Sequence, residues 1–151
     1  MRFWVSVVLL AFIALRAMRS GGAPEKYAAA TFSIAFALEL MTNLFAGQPD
    51  FRTVNWFRLG LDLGVFACLL WIALRANRWW PISICALQVI VIAGHLSALM
   101  KLNAIVGVYW GMTVIPFYLE YLVLLVGIVA HSRREARFGS YPDWTRFQKV
   151  G

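Results

Sequence analysis

The chain has 151 residues, of which 62% are hydrophobic and only 14% are charged. A soluble domain is closer to half apolar and a quarter charged, because a fold of this size must present much of its surface to water. The composition therefore excludes an ordinary soluble fold and predicts an all-α, polytopic bundle of transmembrane helices.

The formal net charge of +7 is a value that nucleic-acid-binding domains also show. Here, however, the basic residues stand at the ends of apolar runs and do not follow one polar face. This distribution is typical of the positive-inside pattern of membrane proteins and argues against nucleic acid as a partner.

Cys68 and Cys85 both lie within apolar runs, without the spacing of a zinc site or a disulfide framework.

Five segments are predicted to span the membrane, because a helix needs about 20 apolar residues to cross a hydrocarbon core. They cover residues 3–18, 27–46, 57–76, 80–100 and 107–130. The first segment is the shortest, and a cleaved signal peptide is its alternative interpretation. Because Arg16 and Arg19 follow its apolar run and no small-residue cleavage site comes after it, we predict that it is retained as a span.

Turn-forming residues separate the predicted spans. Two glycines at 21 and 22 suit a tight connection, and Pro24 and Glu25 suit the first turn of the second helix.

The distribution of Lys and Arg predicts the orientation in the membrane. Ten of the 14 Lys and Arg residues lie on the cytoplasmic side of the membrane if the N-terminus is outside. The bias predicts an external N-terminus and a cytoplasmic C-terminus, with the bacterial inner membrane as the expected location.

Small residues recur at four-residue spacing in four of the predicted spans, which lets helix backbones approach closely in lipid. They are Ala29, Ser33 and Ala37 in the second span, Gly60 and Gly64 in the third, Ala93 and Ser97 in the fourth, and Gly107 and Gly111 in the fifth. Two interpretations remain open, namely packing between helices of this chain and docking of another subunit.

Four ionisable side chains at membrane depth form a candidate intramembrane polar site, because such residues are costly to bury in lipid. They are Glu39, Asp62, His95 and Glu120, with Asn43 one helical turn from Glu39. A rise of about 1.5 Å per residue places the first three in the outer third of the membrane and Glu120 near its middle. Asp62 is expected either to snorkel towards the interface or to pair with Arg58, one turn before it.

The remaining members of this set need partners from other helices. Glu39 and Glu120 have no basic residue one turn away, so each is predicted to be protonated or paired across helices. His95 is predicted to be a neutral, hydrogen-bonded packing residue. His131 lies at the opposite end of its span, which argues against a haem held by two histidines of one chain. A haem held by His95 alone, or shared with a partner, stays open. Pro116, four residues before Glu120, can kink the fifth helix.

Catalytic motifs are absent from the sequence. It contains no His-Glu-x-x-His, no Gly-x-Ser-x-Gly, no phosphate-binding loop and no Cys-x-x-Cys, each of which places reactive groups at a fixed spacing. We therefore expect no enzymatic activity, no catalytic residues, no cofactor and no metal.

The segment 132–151 is predicted to be a basic and aromatic cytoplasmic tail. Arg133, Arg134 and Arg137 directly follow the last span, and such clusters attract anionic lipid headgroups. Trp144 and its aromatic neighbours indicate either an interfacial segment or a docking segment for a partner, since Trp, Tyr and Arg are enriched at interface hot spots.

The leading prediction is a non-catalytic membrane protein that acts as an accessory or assembly subunit of a larger membrane complex, or as a homo-oligomer. Its expected partners are the lipid bilayer, including anionic headgroups, and other membrane subunits or a second copy. The alternative hypothesis is a small transporter or a proton- or ion-handling protein that uses Glu39, His95 and Glu120. That hypothesis requires the three side chains to converge on a water-accessible cavity.

Overall fold

The computed structural model describes residues 2–46, 55–99 and 106–145. These residues form five α-helices: α1 (Arg2–Ser20), α2 (Ala23–Ala46), α3 (Trp56–Arg75), α4 (Trp80–Leu99) and α5 (Val106–Phe138). All five are long and apolar enough to cross a membrane. The predicted all-helical class with five potential spans is thus confirmed.

The helix ends follow local sequence chemistry. The side chain of Asn55 caps α3, since its Oδ1 accepts a hydrogen bond of 3.1 Å from the backbone N–H of Arg58. The fifth helix continues beyond residue 130, where its predicted span ends, to Phe138. It stops at Gly139, whose φ of +77° is the left-handed conformation in which glycine ends helices.

The helices form a closed ring in chain order. Each helix packs against the next, and α5 also packs against α1. Because the connections are short, consecutive helices are antiparallel, whereas α1 and α5 begin at the same end and are parallel. The bundle therefore has two ends. We call the end that contains residues 20–23, 75–80 and 131–145 the tail end. The other end, where α2 and α4 end and α3 and α5 begin, is the cavity end.

Apolar side chains fill the centre of the ring and also cover its outside. The central core includes Ile13, Phe32, Leu69, Ile72, Ile84, Tyr121, Leu124 and Ile128. Outward-facing residues such as Val8, Phe12, Ile34, Leu74, Ile82 and Leu122 are exposed. A helix that is apolar on every side is typical of a membrane span, because lipid solvates the outer face.

The small-residue positions have different roles from one helix to the next. Ala29 is buried, whereas Ala37 is exposed, and Ser33 donates to the carbonyl oxygen of Ala29. In α3, a Cβ added at Gly60 or Gly64 would meet nothing within 4 Å. Neither glycine therefore packs closely against another helix within the described residues.

The other predicted packing positions lie in α4 and α5. Ala93, Ser97 and Gly111 are half-buried, and Ser97 donates to the carbonyl oxygen of Gly94. Gly107 is within the helical backbone of α5 but outside the residues whose burial is described. A glycine outside this predicted set, Gly127 of α5, packs closely against α4, because an added Cβ would lie 2.7 Å from the Trp80 ring.

We expect Gly127→Ala to lower the free energy of unfolding by about 1–3 kcal/mol, because the methyl group would overpack the α4–α5 contact. Thermal unfolding in detergent, followed by circular dichroism, measures this change. Gly64→Ala is the matched control, since the same methyl group would enter open space in α3. Equal melting temperatures for the two variants would contradict the assigned packing.

Candidate functional site

A cavity of about 300 Å³ lies between all five helices in the cavity-end half of the bundle. Its polar lining consists of Ser6, Glu39, Asn43, Arg58, Asp62, Gln88, His95, Thr113, Tyr118 and Glu120. Its apolar lining consists of Phe3, Phe36, Leu40, Val91, Val114 and Phe117. The structure thus brings together all five residues of the candidate polar site.

Helix register explains why these side chains meet. Glu39 lies seven residues before the end of α2 and Asp62 six residues after the start of α3. Because these two ends are adjacent, a rise of about 1.5 Å per residue places both carboxylates about 10 Å inside the bundle. Residues on the other helices reach the same depth in the same way.

The partly exposed rim of the cavity carries an ion pair between α2 and α3. Arg58 pairs with Glu39, and the two side chains are 27% and 29% exposed. Arg58 is thus paired across helices with α2, whereas the Asp62 carboxylate contacts His95 of α4. The rotation of α3 about its axis directs Asp62 towards α4, although Arg58 and Asp62 are one turn apart.

Asp62 interacts with α4 through both its side chain and its backbone. The His95 Nε2 atom lies 2.8 Å from the Asp62 Oδ2 atom, and the His95 side chain is fully buried. The Gln88 amide donates a hydrogen bond of 3.1 Å to the carbonyl oxygen of Asp62. His95 is hydrogen-bonded, as predicted, but it also lines the cavity and does more than fill the core.

Glu120 is the deepest carboxylate of the cavity. The residue is only 1% exposed, and its Oε1 atom has no hydrogen-bond partner among the described residues. Both basic residues of the lining, Arg58 and His95, already face another carboxylate. The lining contains three carboxyl groups. Glu39 and Asp62 belong to these two contacts, and Glu120 is the third.

Several lining residues were not anticipated from the sequence. Ser6 and Tyr118 are joined by a hydrogen bond of 3.1 Å that links α1 to α5. Thr113 lies seven residues before Glu120, and this two-turn spacing on one face of a helix is the pattern that could have revealed it. Nothing in the local sequence marks Ser6.

The cavity does not continue to the tail end through the described part of the bundle. Phe32, Ile84, Tyr121, Leu124 and Ile128 fill the centre there, each at most 3% exposed. In contrast, Glu39, Arg58 and Asp62 at the rim are 23–29% exposed. The cavity is thus accessible from its own half of the bundle and closed by an apolar core on the other side.

Within the described residues, no group of three or more His, Cys, Asp or Glu side chains could hold a metal ion. Carboxylates that are already engaged with Arg58 and His95 are not arranged as a ligand set. The chemistry that this arrangement favours is the exchange of a proton or the binding of a monovalent cation at Glu120.

A second polar cluster, the tail-end network, consists of Glu25, Arg78, Trp80, His131, Tyr141 and Asp143. The Arg78 side chain is 5% exposed, with its Nε atom 3.2 Å from the Glu25 Oε1 atom and its Nη2 atom 2.5 Å from the Asp143 Oδ1 atom. It also donates to the Tyr141 hydroxyl. Arg78 therefore connects α2, the α3–α4 connection and the segment after α5.

The other members complete this network. The Trp80 indole N–H donates a bond of 3.0 Å to the fully buried Glu25. The Asp143 carboxylate accepts from the backbone N–H of Ala23, at 2.9 Å, and so satisfies a free donor at the start of α2. The His131 Nδ1 atom lies 2.7 Å from the Tyr141 hydroxyl oxygen.

The segment after α5 folds back onto the bundle, where Trp144 packs against aromatic side chains of α2 and α3. Trp144 is half-buried, with its ring centroid 5.5 Å from Trp71 and 5.9 Å from Tyr27. The backbone N–H of Thr145 donates to the carbonyl oxygen of Arg75 at 2.8 Å.

The basic cluster that precedes this segment lies in the last turns of α5. Arg133, Arg134 and Arg137 are exposed, and the Arg134 guanidinium lies 4.5 Å from the centre of the Tyr141 ring. Residues 146–151 of the predicted tail lie outside the described residues.

No protein-family model, curated protein or solved structure matches this chain. The geometry of the cavity is therefore the basis for its functional interpretation.

Proposed function

We propose that this protein is a small, non-catalytic membrane transporter that binds a proton or another monovalent cation in the cavity. The observation that carries the proposal is that Glu39, His95 and Glu120, from three different helices, line the same cavity. Ionisable side chains at membrane depth are costly, and proteins use them mainly along proton and ion pathways.

The charge balance of the lining favours a cation over an anion. The Arg58 guanidinium pairs with Glu39, and the His95 ring lies within hydrogen-bond distance of the Asp62 carboxylate. Glu120 is a third acidic side chain of the lining, beyond Glu39 and Asp62. Its Oε1 atom has no hydrogen-bond partner in the described part of the chain. Electrostatic attraction to an extra carboxylate is strong in a buried, weakly screened site.

The apolar core beyond the cavity favours alternating access over a permanent channel. The buried side chains of Phe32, Leu124 and Ile128 fill the described centre of the bundle beyond the cavity, and a bare charge does not cross a dry apolar region. Pro116 lies within α5, one turn before Glu120. Because it removes one helical hydrogen bond, it provides a point at which α5 can bend.

We assign the cavity to the external half of the membrane, with the N-terminus outside and the C-terminus in the cytoplasm of a bacterial inner-membrane protein. The support is the Lys and Arg bias, with ten of the 14 basic residues on the cytoplasmic side in this orientation. The exposed Arg133 and Arg137 then face anionic headgroups.

A second candidate function is the accessory or assembly role, through a partner subunit or a second copy. The observation that favours it is the exposed pair Gly60 and Gly64, next to which the structure has open space. Small residues four apart on a lipid-facing surface suit close docking of another helix.

Proton flux into vesicles tests the transport proposal. With a monovalent inorganic or organic cation supplied for exchange, we expect reconstituted protein to dissipate an imposed pH gradient faster than protein-free vesicles, as measured with an internal pH-sensitive dye. Asp62→Asn removes the charge that faces His95 and is expected to slow this flux about tenfold, which corresponds to about 1.4 kcal/mol in the barrier.

The control for this experiment is Glu135→Gln, which neutralises an exposed glutamate at the tail end of α5. Its flux is expected to equal that of the wild-type protein. A wild-type rate no greater than that of protein-free vesicles, without a cation gradient and with an inorganic or an organic cation gradient, would refute the transport proposal.

A further inference from the structure

From the proposed transport function we infer a substrate class: the cavity binds a small organic ammonium ion, with its charged nitrogen against Glu120, in exchange for a proton. The inference rests on transport by this cavity and adds the chemistry of what is carried. Three independent features of the lining carry it, namely charge, aromatic content and size.

The charge feature is the Glu120 carboxylate. Its residue is 1% exposed, and one of its oxygens has no hydrogen-bond partner among the described residues. A carboxylate in such a place must be neutralised by a proton or by a cation, because an uncompensated buried charge is very costly. An ammonium group supplies both the charge and the hydrogen-bond donors.

The aromatic feature distinguishes an organic ammonium from a bare metal ion. Phe3, Phe36, Phe117 and Tyr118 line the same cavity as Glu120. The Phe3 and Phe36 rings are stacked at 6.1 Å, and the Phe117 and Tyr118 rings meet edge to face at 5.5 Å. Aromatic faces attract ammonium ions and also cover an apolar body.

A metal ion would find a poorer site. It requires several oxygen or nitrogen ligands that converge on one point, and no group of three or more such ionisable side chains is found among the described residues. The aliphatic residues Leu40, Val91 and Val114, which complete the lining, offer a metal no ligand but suit a hydrocarbon body.

The size feature limits the substrate to a small molecule. A volume of about 300 Å³ is at the lower end of the range for ligand sites. It accommodates one ring or a short alkyl chain together with an ammonium group.

The exchange step balances in charge and protons. The empty site holds one proton on the Glu120 carboxyl group, and the entering ammonium ion carries its own protons. As the ammonium ion binds, the carboxyl proton leaves to water, and the resulting carboxylate pairs with the ammonium nitrogen. The net charge of the cavity is therefore the same before and after binding.

Calorimetric titration with benzylammonium chloride tests this inference on the purified, detergent-solubilised chain. We expect saturable binding and, from titrations in two buffers of different ionisation enthalpy, release of about one proton per ammonium bound. Benzyl alcohol, the neutral analogue of similar shape, is expected to bind at least about tenfold more weakly, because it gains no charge interaction.

Two substitutions locate the site. Glu120→Gln is expected to weaken benzylammonium binding at least about tenfold and to abolish proton release, because an amide carries no exchangeable acidic proton. Glu120→Asp retains the carboxyl group and is expected to retain proton release, which separates loss of the acid from loss of the fold. Glu135→Gln, outside the cavity, is expected to bind as the wild type does.

Each contrary result has a separate meaning. Proton flux in vesicles without saturable benzylammonium binding would overturn the substrate class and leave the transport proposal standing. Benzyl alcohol binding as tightly as benzylammonium would also overturn it, since the cavity would then be only an apolar pocket. Proton release caused by sodium chloride but not by benzylammonium would replace the organic cation by an inorganic one.

Discussion

Glu120→Gln is expected to reduce proton flux in reconstituted vesicles to the level of protein-free vesicles. The amide has nearly the same shape as the carboxyl group but can neither release a proton nor balance a bound cation. Because a positioned acid–base group typically contributes about 10²–10⁴-fold to a proton-transfer rate, we expect a loss of at least about 100-fold. Initial rates of internal pH change measure it.

The interpretation of this variant requires proof that the bundle still folds. Size-exclusion chromatography and far-ultraviolet circular dichroism of Glu120→Gln should match the wild type, since one buried neutral group replaces another of equal size. Glu120→Asp, which retains an acid, should recover measurable flux. Wild-type flux in Glu120→Gln would show that the deepest carboxylate of the cavity takes no part in transport.

Arg78→Met is expected to cause the largest loss of stability, about 3–5 kcal/mol in the free energy of unfolding, because it leaves the buried Glu25 charge without its cationic partner. Arg78 is nearly buried and Glu25 fully buried. Asp143 and Tyr141 lose the same partner, so the segment after α5 should detach from the bundle. Detergent-driven unfolding measures the stability, and limited proteolysis at residues 139–145 measures the detachment.

A double substitution and a surface control sharpen this prediction. Glu25→Gln added to Arg78→Met removes the uncompensated charge and is expected to restore part of the lost stability. Arg137→Met, on the exposed end of α5, is expected to change the unfolding free energy by less than about 0.5 kcal/mol. An Arg78→Met variant as stable as Arg137→Met would contradict the structural role of the tail-end network.

Helix positions were predictable because the length of an apolar run is a local property of the chain. The predicted span 80–100, for example, corresponds to helix Trp80–Leu99. The end of the fifth helix was not predictable from hydrophobicity, since charged residues after residue 130 end the apolar run but still favour helix. The backbone continues until Gly139, where a positive φ ends it.

The depth of each polar residue was also predictable, but its partner was not. A constant rise per residue is sufficient to place Glu39, Asp62 and His95 at similar depth. Pairing depends in addition on the rotation of each helix about its axis. That rotation, which results from packing with both neighbouring helices, pairs Arg58 with Glu39 and Asp62 with His95.

The tail-end network shows the strongest dependence on tertiary structure. Glu25 had an adequate local explanation as an acidic residue in the first turn of a helix. Its actual partners, Arg78 and Trp80, lie more than 50 residues away and share no periodic pattern with it. Only the closure of the ring brings them together.

By itself, the sequence determined that the chain is helical, that five segments are long and apolar enough to cross a membrane, and at which depth its ionisable groups lie. Hydrophobic length and helical rise are local quantities, so one chain is sufficient to read them. Only the tertiary structure decided that Glu120 shares a cavity with Glu39 and His95, and that Trp144 folds onto the bundle. These contacts depend on how five helices rotate and close on one another, which no local pattern encodes.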